Sequence, residues 1–184
     1  MKAHAKGRRT PPPLNGERLQ ELALRYVGRF ATTRAKLRAY LARKLRERGW
    51  DDAREPEVDA LTTRFAELGY IDDAAYALSK AQALSGRGYG KRRLADKLRV
   101  DGVGEADGAA AIAHADSEAA DAALRFAERR RLGPYAAAAA DPRLREKWIA
   151  AMVRAGHSFA LARAIAVLPP GGDVDPEALT EHAN

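Results

Sequence analysis

The sequence predicts an all-α protein built from tandem three-helix repeats, and three observations predict it. Strong helix formers dominate, β-branched residues are sparse, and no period-2 strand pattern stands out. Apolar residues recur at three- and four-residue intervals between Gly and Pro punctuation. One frame also recurs. Leu41-x3-Leu45-x3-Gly49, Leu94-x3-Leu98-x3-Gly102 and Trp148-x3-Met152-x3-Gly156 follow one another at intervals of 53 and 54 residues. A unit of that size cannot bury its apolar face alone, so the units are expected to stack into an elongated or curved array.

The elements follow in order. Residues 1–16 are rich in Pro, Gly, Lys and Arg and read as a flexible basic arm. A first repeat is expected over 17–69. It has a helix over 17–30, then a long helix over 34–48 behind the hydroxyl caps of Thr32 and Thr33, with Leu37, Leu41 and Leu45 every fourth residue and Gly49 ending it. A third helix starts near Pro56, carries Val58, Leu61, Phe65 and Leu68, and stops at Gly69.

A second repeat is expected over 70–116. Asp72 caps a helix over 73–84, residues 87–89 form a turn, and a helix over 91–100 carries Leu94 and Leu98 before a weaker segment over 105–115. The third repeat, 117–169, opens with a helix over 117–131. Asp141-Pro142 then makes a cap and a first-position proline, and Ser158 caps a last helix whose Phe159, Ala162, Ile165 and Leu168 line one side until Pro169-Pro170. Residues 170–184 read as a flexible tail.

Composition excludes several chemistries. The chain has 184 residues and no cysteine, which removes disulfides, thiolate nucleophiles, iron–sulfur clusters and cysteine zinc sites. Of its 4 histidines, His4 and His182 lie near the ends, and His114 and His157 have no ligand-spaced neighbours. His157 reads as a helix-end or core residue. Asp72-Asp73 is accounted for by a helix start, and Glu17/Glu21 and Glu55/Glu57 lack partners for a two-carboxylate site. Gly86-x-Gly88-x-Gly90-Lys91 resembles a phosphate loop only superficially, because Arg92 stands where a Ser or Thr would hold magnesium. No catalytic, cofactor or metal site is expected. No run of eighteen apolar residues occurs and the basic start leads into Pro11-Pro12-Pro13, so neither a membrane span nor a signal peptide is expected and the cytoplasm is the expected location.

The net charge of +7 is uneven. Residues 1–54 hold 15 Lys/Arg against 5 Asp/Glu, and residues 55–184 hold 17 against 20. Two basic elements emerge. One is the long helix with Arg34, Lys36, Arg38, Arg43, Lys44, Arg46 and Arg48, and the other is the stretch with Arg87, Lys91, Arg92, Arg93, Lys97 and Arg99. Guanidinium forks hold phosphate or carboxylate oxygens bidentately, so both elements suit a polyanion. Among Tyr26, Tyr40, Tyr76 and Tyr89, the last reads as the exposed one and the others as core.

These segments resemble the RecX family of bacterial regulators. The likeness rests on Ala23-Leu24-Arg25-Tyr26, Thr33-Arg34-Ala35-Lys36-Leu37 and Lys44-Leu45-Arg46-Glu47-Arg48-Gly49-Trp50. It is more specific in Leu68-Gly69-Tyr70-Ile71-Asp72-Asp73-x2-Tyr76-Ala77 and Gly88-Tyr89-Gly90-Lys91-Arg92-Arg93-Leu94. Residues 20–103 carry nearly all of it, and Gly156-His157-Ser158-Phe159 adds a weaker match.

The resemblance implies tandem three-helix repeats without enzymatic activity. It further implies binding along the groove of a RecA–DNA filament, with inhibition of strand exchange, ATP hydrolysis and coprotease activity. Such a protein would act in DNA repair, homologous recombination and the SOS response. Carried onto this chain, the filament-facing candidates are Arg34, Lys36, Arg38, Arg43, Lys44, Arg87, Tyr89, Lys91, Arg92, Arg93 and Lys97. The implied partners are the RecA filament and single- or double-stranded DNA. A monomer is expected, because a repeat array needs no partner to close an edge. The alternative reading is an autonomous helical DNA- or RNA-binding protein, against which stands the lack of a base-reading Arg/Asn/Gln set on any helix.

Overall fold

The computed structural model describes residues 11–181, so His4 and His182 lie outside the described residues. Ten α-helices and one 3-10 turn make up the regular structure among them, with no strand. The chain divides between Asp72 and Asp73 into two compact units.

The first unit contains α1 (Gly16–Val27), α2 (Arg34–Arg48) and α3 (Val58–Glu67). Asn15 caps α1 by accepting from the Arg18 amide, and Thr33 caps α2 by accepting from the Lys36 amide. The fourfold leucine spacing of α2 does what it implies: Leu37 and Leu41 are fully buried and Leu45 half-buried, against Leu19, Ala23 and Phe65. Burial of each such leucine contributes about 2 kcal/mol. Leu68, expected on the inner face of α3, is exposed instead, and Thr62 is buried in that helix.

Residues 11–16 do not form a flexible arm. Leu14 is fully buried, and its amide and carbonyl pair with the Gly49 carbonyl (3.0 Å) and the Asp51 amide (2.7 Å). The Arg48 guanidinium adds two bonds to the Pro12 carbonyl at 2.9 and 2.6 Å. One buried leucine, its backbone pairing and the Arg48 bonds together anchor the Pro-rich run. The rest of that expectation, residues 1–10, lies outside the described residues.

The second unit holds α4 (Asp73–Gly86), α5 (Lys91–Val100), α6 (Glu105–Ser117), α7 (Ala119–Arg130), α8 (Pro142–Arg154), α9 (Phe159–Val167) and α10 (Pro176–Thr180). Two apolar clusters organise it. Ala77 and Ala81 of α4, Leu94 and Leu98 of α5, and Ala111 and Ala115 of α6 form one. The alanines explain how the weakly marked 105–115 segment becomes a full helix: small side chains let α6 lie closely on α4, and that packing outweighs its poor periodicity. The other cluster joins Ala123, Phe126, Met152, Leu161 and Ile165 from α7, α8 and α9.

Two expectations change here. The inner face of α9 is Leu161, Ala162, Ile165 and Ala166, while Phe159 points outward. The segment 170–181 is not a loose tail either, because Asp175 caps α10 and Leu179 is buried in the α7–α9 cluster. Its Pro/Gly-rich lead-in concealed that one anchoring leucine.

Candidate nucleic-acid interface

Each unit carries one of the basic elements. In the first unit, Arg34 and Arg38 stand exposed on α2, and Lys36 is half-buried. Arg38 Nε pairs with Asp59 Oδ1 of α3. Arg43 and Lys44 lie over the Tyr40 ring, 5.6 and 5.9 Å from its centroid, and both approach Glu47, Lys44 at 2.6 Å. The Lys44 hydrogen bond holds the Glu47 carboxyl below the usual carboxylate range. Tyr40 stacks on Tyr26 at 4.3 Å. The two rings therefore form a half-buried floor under the cations. Arg48 belongs to the Pro12 strap.

In the second unit the structure separates scaffold cations from presented ones. Lys97 pairs at 2.9 Å with Asp101, whose buried carboxylate also accepts from the Tyr76 hydroxyl at 2.7 Å. Lys91 pairs with Asp116 at 2.5 Å. Arg87, Arg92 and Arg93 are exposed and hold no ion pair among the described residues. Tyr89, expected to be the exposed ring, is half-buried. Arg87, Arg93 and Arg129 lie over it at 5.6, 4.7 and 5.8 Å from its centroid. The Arg129 guanidinium is aimed by a 2.5 Å hydrogen bond to the Arg87 carbonyl.

Sequence reasoning missed Arg129, Arg130 and Arg154. Together with Arg93 they line a cleft of about 230 Å³ floored by Tyr89 and Phe126. The only signal for Arg129 and Arg130 in the sequence was the basic run 129–131, which looks like an ordinary complement to a helix C-terminus, and Arg154 stands alone between apolar residues.

The loop that carries these residues is locked from the other side. The Gly90 amide donates to the Ala155 carbonyl at 3.0 Å and the Arg92 amide to the Gly156 carbonyl at 3.2 Å. A Cβ on Gly90 would sit 2.3 Å from the Gly156 oxygen, and Gly156 itself has φ of +99°. His157 is 2% exposed and Phe126 packs against its ring. Its Nε2 lies 3.1 Å from the Gly88 carbonyl, which can only accept, so Nε2 carries the proton. Burial lowers the His157 pKa to about 4, and the imidazole is neutral near pH 7. It is a structural bolt.

Among the described residues no group of His, Asp or Glu is placed to hold a metal ion, and no helix is long and apolar enough to cross a membrane.

No family model matches the chain. Curated relatives do. It is 33% identical to the regulatory protein RecX of Myxococcus xanthus over 175 residues, covering 89% of this chain and 92% of that one. It is 33% identical to the regulatory protein RecX of Agrobacterium fabrum over 131 residues, 69% of this chain and 70% of the relative. The match to that of Mycobacteroides abscessus is 41% over 101 residues, 54% of this chain and 48% of the relative. In fold, the chain is similar to the crystal structure of RecX from Lactobacillus salivarius, with a TM-score of 0.59 over 81% of this chain and 92% of that one, at 17% identity.

Proposed function

This chain belongs to the RecX family of regulatory proteins, and from that premise we propose that it is a non-catalytic regulator that binds the RecA–DNA filament and inhibits its ATPase, strand-exchange and coprotease activities. It acts as a cytoplasmic monomer in recombination and the SOS response. Three repeats over 17–69, 70–116 and 117–169 give it several attachment points. Each further contact along a filament then forms at high effective concentration, so weak individual contacts add up to a long-lived complex.

The observation that carries the reading is the sorting of cations in the second unit. Lys91 and Lys97 are spent on Asp116 and Asp101, while Arg87, Arg92, Arg93, Arg129, Arg130 and Arg154 are presented without carboxylate partners among the described residues. Uncompensated positive charge on a rigid surface favours a polyanionic partner such as a nucleoprotein filament.

The test adds the purified protein to RecA assembled on single-stranded DNA and follows ATP hydrolysis and strand exchange. Both slow if the proposal holds. Unchanged rates at saturating occupancy, with tight binding to bare DNA, would instead establish the autonomous nucleic-acid binder.

A further inference from the structure

The three frame glycines share a backbone conformation but not a neighbour. Gly49, Gly102 and Gly156 each follow a helix at positive φ, +78°, +70° and +99°. The Gly49 carbonyl accepts from the Leu14 amide at 3.0 Å, and the Gly156 carbonyl accepts from the Arg92 amide at 3.2 Å. In both places a segment distant in the chain closes the backbone that follows the helix. The middle frame has no such segment. The Gly102 and Val103 amides donate back into α5, and the Gly102 carbonyl and Gly104 amide bond to no distant segment among the described residues. Gly102 and Gly104 are exposed.

An apolar groove adjoins that open edge. Leu98, Val103, Ile112 and the small residues Ala109 and Ala113 line about 650 Å³ between α5 and α6. In the first unit the matching position is filled. Leu14 is fully buried and pairs in parallel with Trp50, which follows Gly49 as Val103 follows Gly102. We infer that the α5–α6 groove is a docking site for an extended segment of a partner protein, which pairs its main chain with residues 102–104 and seats one branched aliphatic side chain between the helices. None of the presented arginines lines the groove, so it stands apart from the filament surface proposed above.

The open edge selects the form of the occupant. A helix satisfies its own amides and carbonyls and would leave the edge unused, whereas an extended chain offers both groups to it. Main-chain bonds of this kind supply affinity, and the side-chain pocket supplies selection. Two glycines in the edge leave no side chain there to obstruct an approaching backbone. Charge adds a second condition. Of the ionisable residues in the lining, Arg99 is paired with Asp96 at 2.8 Å and Asp116 with Lys91, whereas Glu105 holds no ion pair among the described residues. The complementary segment therefore carries a Lys or Arg near its aliphatic residue. Leu98 is already packed with Leu94 and Ala111, so the floor of the groove exists before binding and mainly the guest is ordered.

A synthetic peptide with the sequence of residues 8–16 (RRTPPPLNG) has this chemistry, two arginines and the leucine that fills the first-unit site. Labelled with a fluorophore and added to the full-length chain, it should bind saturably with a Kd below about 1 mM. Serine in place of its leucine should weaken binding about tenfold or more. A109W, which fills the groove from an exposed position on α6, should do the same, and E105R should weaken binding about two- to fivefold. R163A, at an exposed arginine on α9 outside the groove, should bind as the parent does. Thermal melting of each variant checks that the fold is kept. Amide chemical shifts of the isotope-labelled chain should move most at residues 102–104 when the peptide is added. Shifts centred on residues 49–51 would mean that the peptide displaces the chain's own strap, and they overturn the inference. Absence of saturable binding up to about 1 mM overturns it too, as does parental affinity in A109W or for the serine peptide. Dimerisation of the parent that A109W abolishes overturns it in favour of a second copy of this chain.

Discussion

The Nε2 of His157 lies 3.1 Å from the Gly88 carbonyl, so a turn after α8 holds a loop 69 residues earlier in the chain. Burial of this imidazole couples protonation to folding, against the Gly88 bond, which favours the imidazolium. The folded pKa of about 4 lies below the ordinary value of 6.5 because burial disfavours the imidazolium. The unfolded chain therefore binds the extra proton more readily, and the stability present above pH 6.5 is lost as pH falls toward 4. A shift of this size corresponds to about 3 kcal/mol. Urea denaturation between pH 7.5 and 4.5 should show the fall, and H157F should flatten it. A wild-type profile with no change over that interval would count against a buried neutral imidazole.

The glycines on either side of the same joint differ sharply in tolerance. G90A places a methyl 2.3 Å from backbone oxygen, where no flexible side chain can yield, and should destabilise by about 3 kcal/mol or more. G86A meets nothing within 4 Å on a helix end and should be neutral or slightly stabilising. Equal melting temperatures for the two variants would contradict the contact.

Adjacent threonines at the start of α2 have opposite roles. Thr33 is the cap, so T33V should cost about 1 kcal/mol. The Thr32 hydroxyl is buried without a hydrogen-bond partner among the described residues, and T32V should be neutral or stabilise by about 1 kcal/mol. Thermal denaturation of the pair gives the sign directly; a large loss in T32V would show that its hydroxyl is bonded.

Charge reversal at presented arginines should act on binding alone. R92E/R93E should weaken attachment to RecA–single-stranded DNA filaments by about tenfold or more while leaving the circular dichroism spectrum unchanged, since neither side chain holds an ion pair among the described residues. Co-sedimentation with filaments measures it, and parental affinity would remove this surface from the interface.

The helices were legible because their signals are local. Thr33, Asp141 and Ser158 cap where their sequence neighbours suggest, and the three frame glycines, Gly49, Gly102 and Gly156, all adopt positive φ. The anchors Leu14 and Leu179 were hidden because a lone leucine in a Pro/Gly-rich stretch has no period to reveal it. The cleft was half legible. Arg93 and Tyr89 stand in a motif, but Arg129, Arg130 and Arg154 reach them only through the packing of α7 and α8. Tyr89 was misjudged for the same reason, since the guanidinium that covers it from α7 is 40 residues away in sequence.

The main-chain joint between Gly90 and Gly156 leaves no side chain between the two backbones to rearrange. Separation there cannot proceed by gradual loosening; it requires the apolar clusters on both sides to give way together. The amide hydrogens of Gly90 and Arg92 should thus exchange with solvent only when the whole second unit opens, although both sit beside an exposed basic loop. Their protection is a direct gauge of that unit's cooperativity.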